Sequence, residues 1–148
     1  MLATAILAFQ LAQPVKPDNA SIDACVKGLY STISGAAGEK RDWDRFKNLF
    51  TSYAHLSAVV GNRIVVITPQ EYVDRSGPYL EKNGFFEKES KRKTEEFGKI
   101  ASVWSHYESR NKLDDKKPFE KGINAIQLVK EPTGWRIASV VWDSEPKT

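Results

Sequence analysis

Gly122–Ser144 reads GINAIQLVKEPTGWRIASVVWDS, and this stretch decides the fold. Two apolar-rich runs of β type flank a Pro132-Thr133-Gly134 break, the pattern of a β-hairpin. A two-residue period places Asn124, Ile126 and Leu128 on one face of the first run and Ala125, Gln127 and Val129 on the other. In the second run the same period groups Ala138, Val140 and Trp142 against Ile137, Ser139, Val141 and Asp143.

Upstream of the hairpin, Lys99–Arg110 carries Ile100, Ala101, Val103, Trp104 and Tyr107 and reads as a strand with both faces partly apolar. A polar link, Asn111–Lys117, joins it to Phe119. His106 and Tyr107 must point to opposite faces. Tyr107 shares its face with Val103 and Ser105, so it is expected to point inward. With the faces reversed, His106 would be the natural general base near neutral pH. Phe85–Phe97 (FFEKESKRKTEEF) has a helical Glu and Lys content but aromatic ends that permit a strand. As a strand it carries charge on both faces, which suits an edge that must resist pairing with another chain.

The first half supplies helices and a second, smaller hairpin. From Asn19 to Ser34 the apolar residues Ile22, Cys25, Val26, Leu29, Tyr30 and Ile33 line one helical face, with Ser21 or Asp18 as cap and Gly35 as terminator. In EKRDWDRFKNLF, Trp43, Phe46, Leu49 and Phe50 mark another helical face behind an Asp42 cap. Ala54–Gly61 and Arg63–Ile67 are short β runs about the Gly61-Asn62 turn. Thr68-Pro69-Gln70-Glu71 is a capping box with proline in the first helical turn, and Gly77-Pro78 is expected to break or kink the helix that follows. The order predicts an α+β fold: an antiparallel sheet with the helices gathered on one face.

A chain of 148 residues suits one domain, and 41% hydrophobic with 28% charged residues marks a folded globular protein. The net charge of +3 is small, and the densest basic run, Lys88–Lys93, is followed by Glu95 and Glu96, so no nucleic-acid footprint appears. The opening MLATAILAFQLA has the length of a signal-peptide apolar region and is too short to span a bilayer. Residues 1–18 are therefore read as an export signal and linker, and 19–148 as the domain. The alternatives are a packed N-terminal helix and a cytoplasmic protein. Cys25, the single cysteine, is expected to be a small buried hydrophobe. No clustered His, Cys or carboxylate set, nucleophile motif or Gly-rich phosphate loop points to a metal or cofactor.

The D-W-D-R-F-x-x-L-F motif of Asp42–Phe50, the capped helix and the G-W-R-I of Gly134–Ile137 resemble the nuclear transport factor 2-like superfamily. That group includes ketosteroid isomerases, SnoaL-like cyclases and scytalone dehydratase. NGFFE (Asn83–Glu87), Y-E-S-R (Tyr107–Arg110) and GIN-x-I-Q-L (Gly122–Leu128) resemble its uncharacterised bacterial members. The resemblance covers about residues 20 to 145. It implies a cystatin-like cone whose curved sheet wraps the helices and leaves a cavity at the wide end. Asn124 falls where the dehydratase carries a pocket asparagine, while the tyrosine that precedes D-W-D-R in that enzyme has Gly38 near its position here.

The candidate ligand-binding residues are Asn124, Tyr107, Trp142, Trp43 and Tyr30, and His106 is the catalytic candidate. The leading functional reading is a small-ligand-binding domain, dimeric through its outer sheet face, for an apolar or aromatic ligand. A second is an isomerase, cyclase or dehydratase in which a carboxylate or His106 moves a proton. A third is a protein-interaction module using the exposed sheet.

Overall fold

Side-chain caps start each of the three helices. The computed structural model describes residues 17–146, so the apolar run read as an export signal lies outside the described residues. Helix α1 (Ile22–Ile33) begins where Ser21 accepts from the Ala24 amide, and α2 (Trp43–Asn48) begins where Asp42 accepts from Arg45. Helix α3 (Pro69–Asn83) opens on the full Thr68/Glu71 capping box. It runs through Pro78 without ending. Asp74 and Pro78 are exposed, so the carbonyl that proline leaves unpaired faces water, and buried Gly77 lies flat against the Trp43 indole.

Six strands follow the expected order: β1 (Phe50–Val60), β2 (Arg63–Ile67), β3 (Phe86–Phe97), β4 (Ile100–Arg110), β5 (Glu120–Glu131) and β6 (Gly134–Ser144). Helix α2 is shorter than its apolar pattern, because Phe50 opens β1 instead of closing the helix. Phe85–Phe97 resolves as a strand. Paired with β4 up to Phe97, β3 forms a charged outer edge whose last residue is 84% exposed.

The strand order is β2-β1-β6-β5-β4-β3, in a curved, open sheet. Neighbours pair antiparallel except β1 and β6, which run parallel. The last strand thus sits between the β1–β2 hairpin and the β3–β4–β5 run and joins them into one sheet. Bulges interrupt β3 at Ser90 and β6 at Ala138, and the β1–β6 pairing shifts register between Phe50 and His55.

The β6 bulge corrects the alternation read from sequence. The extra residue inverts the phase, so Trp135 and Ile137 point inward before the bulge and Val140 and Trp142 after it. Ile137 therefore belongs to the core rather than to the face of Val141 and Asp143. On β5 and β4 the period holds: Asn124, Ile126, Leu128, Val103, Ser105 and Tyr107 are all buried. The apolar face of α1 packs on these strands. Cys25 is fully buried there, its thiol donating to the Trp135 carbonyl at 3.3 Å, and burial pushes its pKa up to about 12. Arg41 ties the end of α1 to α3, its guanidinium donating to the carbonyls of Ile33, Gly35 and Leu80.

Candidate functional site

The inner face of the sheet does not close completely on the helices. A cavity of about 340 Å³ remains between α1, α3 and the strands, within the range of small-ligand sites. Its walls are apolar and aromatic: Leu29 and Ile33 from α1, Phe46 from α2, Tyr72, Tyr79 and Leu80 from α3, and Leu56, Phe85, Val140 and Trp142 from the sheet side. Tyr72 stacks on Phe46 with ring centroids 5.2 Å apart. The polar lining is short: Glu87, Glu120, Asn124 and Tyr107, with Arg75 and Ser76 from α3.

Glu87 is the chemically distinctive group. Register with Ser109 on β4 turns its side chain inward, where Ser109 Oγ donates to one carboxylate oxygen at 3.1 Å and Asn124 Nδ2 to the other at 3.2 Å. Its accessible surface is only partial, and it borders the cavity. Burial pushes its pKa up to about 7; the Ser109 and Asn124 donors oppose that shift, and the negative charge of Glu120 adds to it.

Asn124 also donates to the Tyr30 hydroxyl at 3.1 Å, and this fixes the direction of a longer chain. Tyr30 has its proton free for Ser105 Oγ, 2.7 Å away, and Ser105 then donates to Glu89. Glu89 is held by Arg92, which also reaches Asp23 at 3.2 Å. The Ser90 bulge makes this possible, because it brings Arg92 back to the inward face beside Glu89. Burial pushes Tyr30 up to about 12, so at neutral pH its hydroxyl stays protonated and able to donate.

Across the cavity, Tyr107 donates to Glu120 Oε1 at 3.2 Å and lies 3.1 Å from Ser144 Oγ. Burial raises the pKa of Tyr107, and likewise that of Tyr72. Gly122 makes room for the phenol: a Cβ there would stand 2.5 Å from the Tyr107 hydroxyl.

Of the residues expected at the site, Asn124, Tyr107 and Trp142 line the cavity. Tyr30 stands behind Asn124 as its hydrogen-bond acceptor. Trp43 is not in the lining; its indole donates to Glu81 at 2.9 Å and packs edge-on to Phe46. His106 lies on the opposite face of β4 from Tyr107, so it does not enter the cavity. Sequence reasoning missed Glu87, Glu120 and Tyr72. Glu87 was absorbed into a charge run read as an edge that resists pairing, although Phe85 and Phe86 just before it mark a strand that starts inside the domain. Among the described residues, no group of three or more His, Cys, Asp or Glu side chains could hold a metal ion. None of the described helices is long and apolar enough to cross a membrane.

This architecture recurs in solved structures. A protein of unknown function with a cystatin-like fold from Nostoc punctiforme superposes with a TM-score of 0.67 at 13% identity, covering 85% of this chain and 90% of its own. The fold is nuclear transport factor 2-like. A nuclear transport factor 2-like protein of unknown function from Shewanella baltica matches at TM-score 0.59 and 16% identity, covering 85% and 92% of the two chains. A function-unknown protein from Mycobacterium tuberculosis matches at 0.68 and 15%, covering 86% of this chain and 71% of its own. No family model matches the sequence, and no curated protein does. At these identities the likeness establishes the fold, and a nuclear transport factor 2-like scaffold leaves the chemistry to the cavity residues.

Proposed function

We propose that this nuclear transport factor 2-like domain binds a small, largely apolar or aromatic molecule in the cavity between α1, α3 and the sheet. The observation that carries the reading is the lining itself: an apolar, aromatic wall with a few convergent polar groups, Glu87, Asn124 and Tyr107, to orient a ligand. A thermal-shift screen of small aromatic compounds tests it. A binder at a hundredfold over its Kd stabilises the fold by roughly 3 kcal/mol. Leu56→Trp, which fills the cavity, should abolish the shift. Failure of every compound to raise Tm would overturn the reading.

A second reading, a SnoaL-like or ketosteroid-isomerase-like isomerase, cyclase or dehydratase, is favoured by one observation. Glu87 faces the cavity with a pKa near neutrality, as a group that both accepts and returns a proton requires. Exchange of ligand C–H protons in deuterated water, lost in Glu87→Gln while binding persists, would support it. Exchange unchanged in that variant would sink it.

The outer sheet face carries Trp104, Val141, Ile123 and Ala125 around a shallow groove, and self-association there belongs to the same proposal. Sedimentation equilibrium of Trp104→Lys against the native chain tests it, and an unchanged molecular mass would count against that interface. Export directed by residues 1–12 is likewise proposed, with N-terminal sequencing of the secreted product as its test.

A further inference from the structure

We infer that the ligand is a cation: a protonated amine on an apolar or aromatic body, its ammonium seated between Glu87 and Glu120. This rests on the ligand-binding reading above and names the class of molecule that the cavity takes.

The first observation is a charge imbalance. Two carboxylates line the cavity, and no ion pair among the described residues includes either. The neighbouring inward carboxylate, Glu89, shows the contrast, since Arg92 neutralises it. Glu87 and Glu120 receive only neutral donors, from Ser109 and Asn124 on one and Tyr107 on the other. The one cationic side chain in the lining, Arg75, stands on the exposed side of α3 and is engaged by Glu71 at 3.5 Å. Burying a carboxylate without a cation is costly, so the site either holds a proton or accepts a positive ligand.

The second observation is the wall. Phe46, Tyr72, Phe85, Tyr107 and Trp142 surround the space in front of these carboxylates. Aromatic faces attract an ammonium through their quadrupole and accommodate an apolar body equally well. An anion meets like charge from Glu87 and Glu120. A neutral alcohol leaves the imbalance as it was.

Proton linkage makes the inference measurable. The groups facing Glu87 are Tyr30 on α1, Tyr72 and Arg75 on α3, Glu89 on its own strand, Tyr107 on β4, and Glu120 with Asn124 on β5. Because Glu87 has a pKa of about 7, an ammonium that requires it ionised must displace its proton. Affinity should therefore rise about tenfold between about pH 6 and pH 8, with proton release measurable at the lower pH.

The experiment is isothermal titration of the full chain with matched phenyl- and naphthyl-ethyl compounds ending in a primary amine, an alcohol or a carboxylate. Titrations run at both pH values and in two buffers of different ionisation enthalpy. The expected result is that an amine binds at least tenfold more tightly than its alcohol, releases a proton near pH 6, and loses both properties in Glu87→Gln. Glu120→Gln provides a second variant, expected to lower amine affinity while alcohol affinity holds. Equal binding of amine and alcohol, or tighter binding of the carboxylate, would overturn the cation inference and leave the ligand-binding reading intact. Binding of none of them would overturn both.

Discussion

Replacing Glu87 by Gln should make the protein more stable at alkaline pH and remove part of its pH dependence. The glutamine amide fits the same contacts: its oxygen accepts from Asn124 and its nitrogen donates to Ser109, whose hydroxyl can turn to accept. What changes is the proton. Below an ordinary carboxyl pKa of 4.5, Glu87 is protonated in both the folded and the unfolded chain. Between there and about 7 the folded protein keeps a proton that the unfolded chain has lost, so stability falls as pH rises; above 7 both states are ionised and the penalty is constant. From about pH 5 to pH 8 the shift corresponds to about 2 to 3 kcal/mol, an upper figure because water reaches the cavity. Urea unfolding followed by tryptophan fluorescence at the two pH values gives the difference directly, since every other titrating group is common to both proteins. The variant should gain 2 to 3 kcal/mol on the native chain between the two conditions, by the same estimate of about 1.4 kcal/mol per pH unit. An identical difference at pH 5 and pH 8 would refute the assignment of Glu87 as a half-buried, near-neutral acid.

Other expectations follow from the same geometry. Asn124→Ala removes a donor from the Glu87 carboxylate and from Tyr30; it should raise the Glu87 midpoint further, seen by carboxyl-carbon NMR, and cost about 1 to 3 kcal/mol in urea unfolding. A midpoint that stays or falls would contradict the donor assignment. Gly122→Ala drives a Cβ into the Tyr107 hydroxyl and the Asp143 carbonyl, and should cost about 1 to 3 kcal/mol while weakening any cavity ligand. Trp43→Phe should leave ligand affinity within about twofold, because the indole packs on Gly77 and Glu81 outside the cavity lining. A large loss of affinity there would show that the cavity extends further than Phe46.

Much of the fold was legible because it is written in short-range chemistry. The caps at Ser21, Asp42 and Thr68, the Gly61-Asn62 and Pro132-Thr133 turns, the inward Tyr107 face of β4 and the grouping of residues by face on β5 depend on neighbours within one helical turn or a few pleats. Where a local signal failed, a tertiary partner had intervened. Of the break or kink expected at Gly77-Pro78, the break is absent, because the carbonyl that Pro78 leaves unpaired faces water and Gly77 packs against Trp43. The Ile137 face was misread because a single bulge residue inverts an otherwise regular alternation.

The site divides along the same line. An α+β domain, with Asn124, Ile126 and Leu128 on one face of its closing hairpin, could be read from the residues, since period-two alternation follows from the pleat alone; that this face is the buried one is set by the packing of the helices against it. The parallel joining of β6 to β1, and the meeting of Glu87 and Glu120 in one cavity with no ion pair to either among the described residues, come from the tertiary fold. It also decided that Asn124 links Glu87 to Tyr30, 94 residues earlier in the chain. A carboxylate's ionisation depends on burial and on charges brought near by distant strands, and no window of sequence around Glu87 contains them.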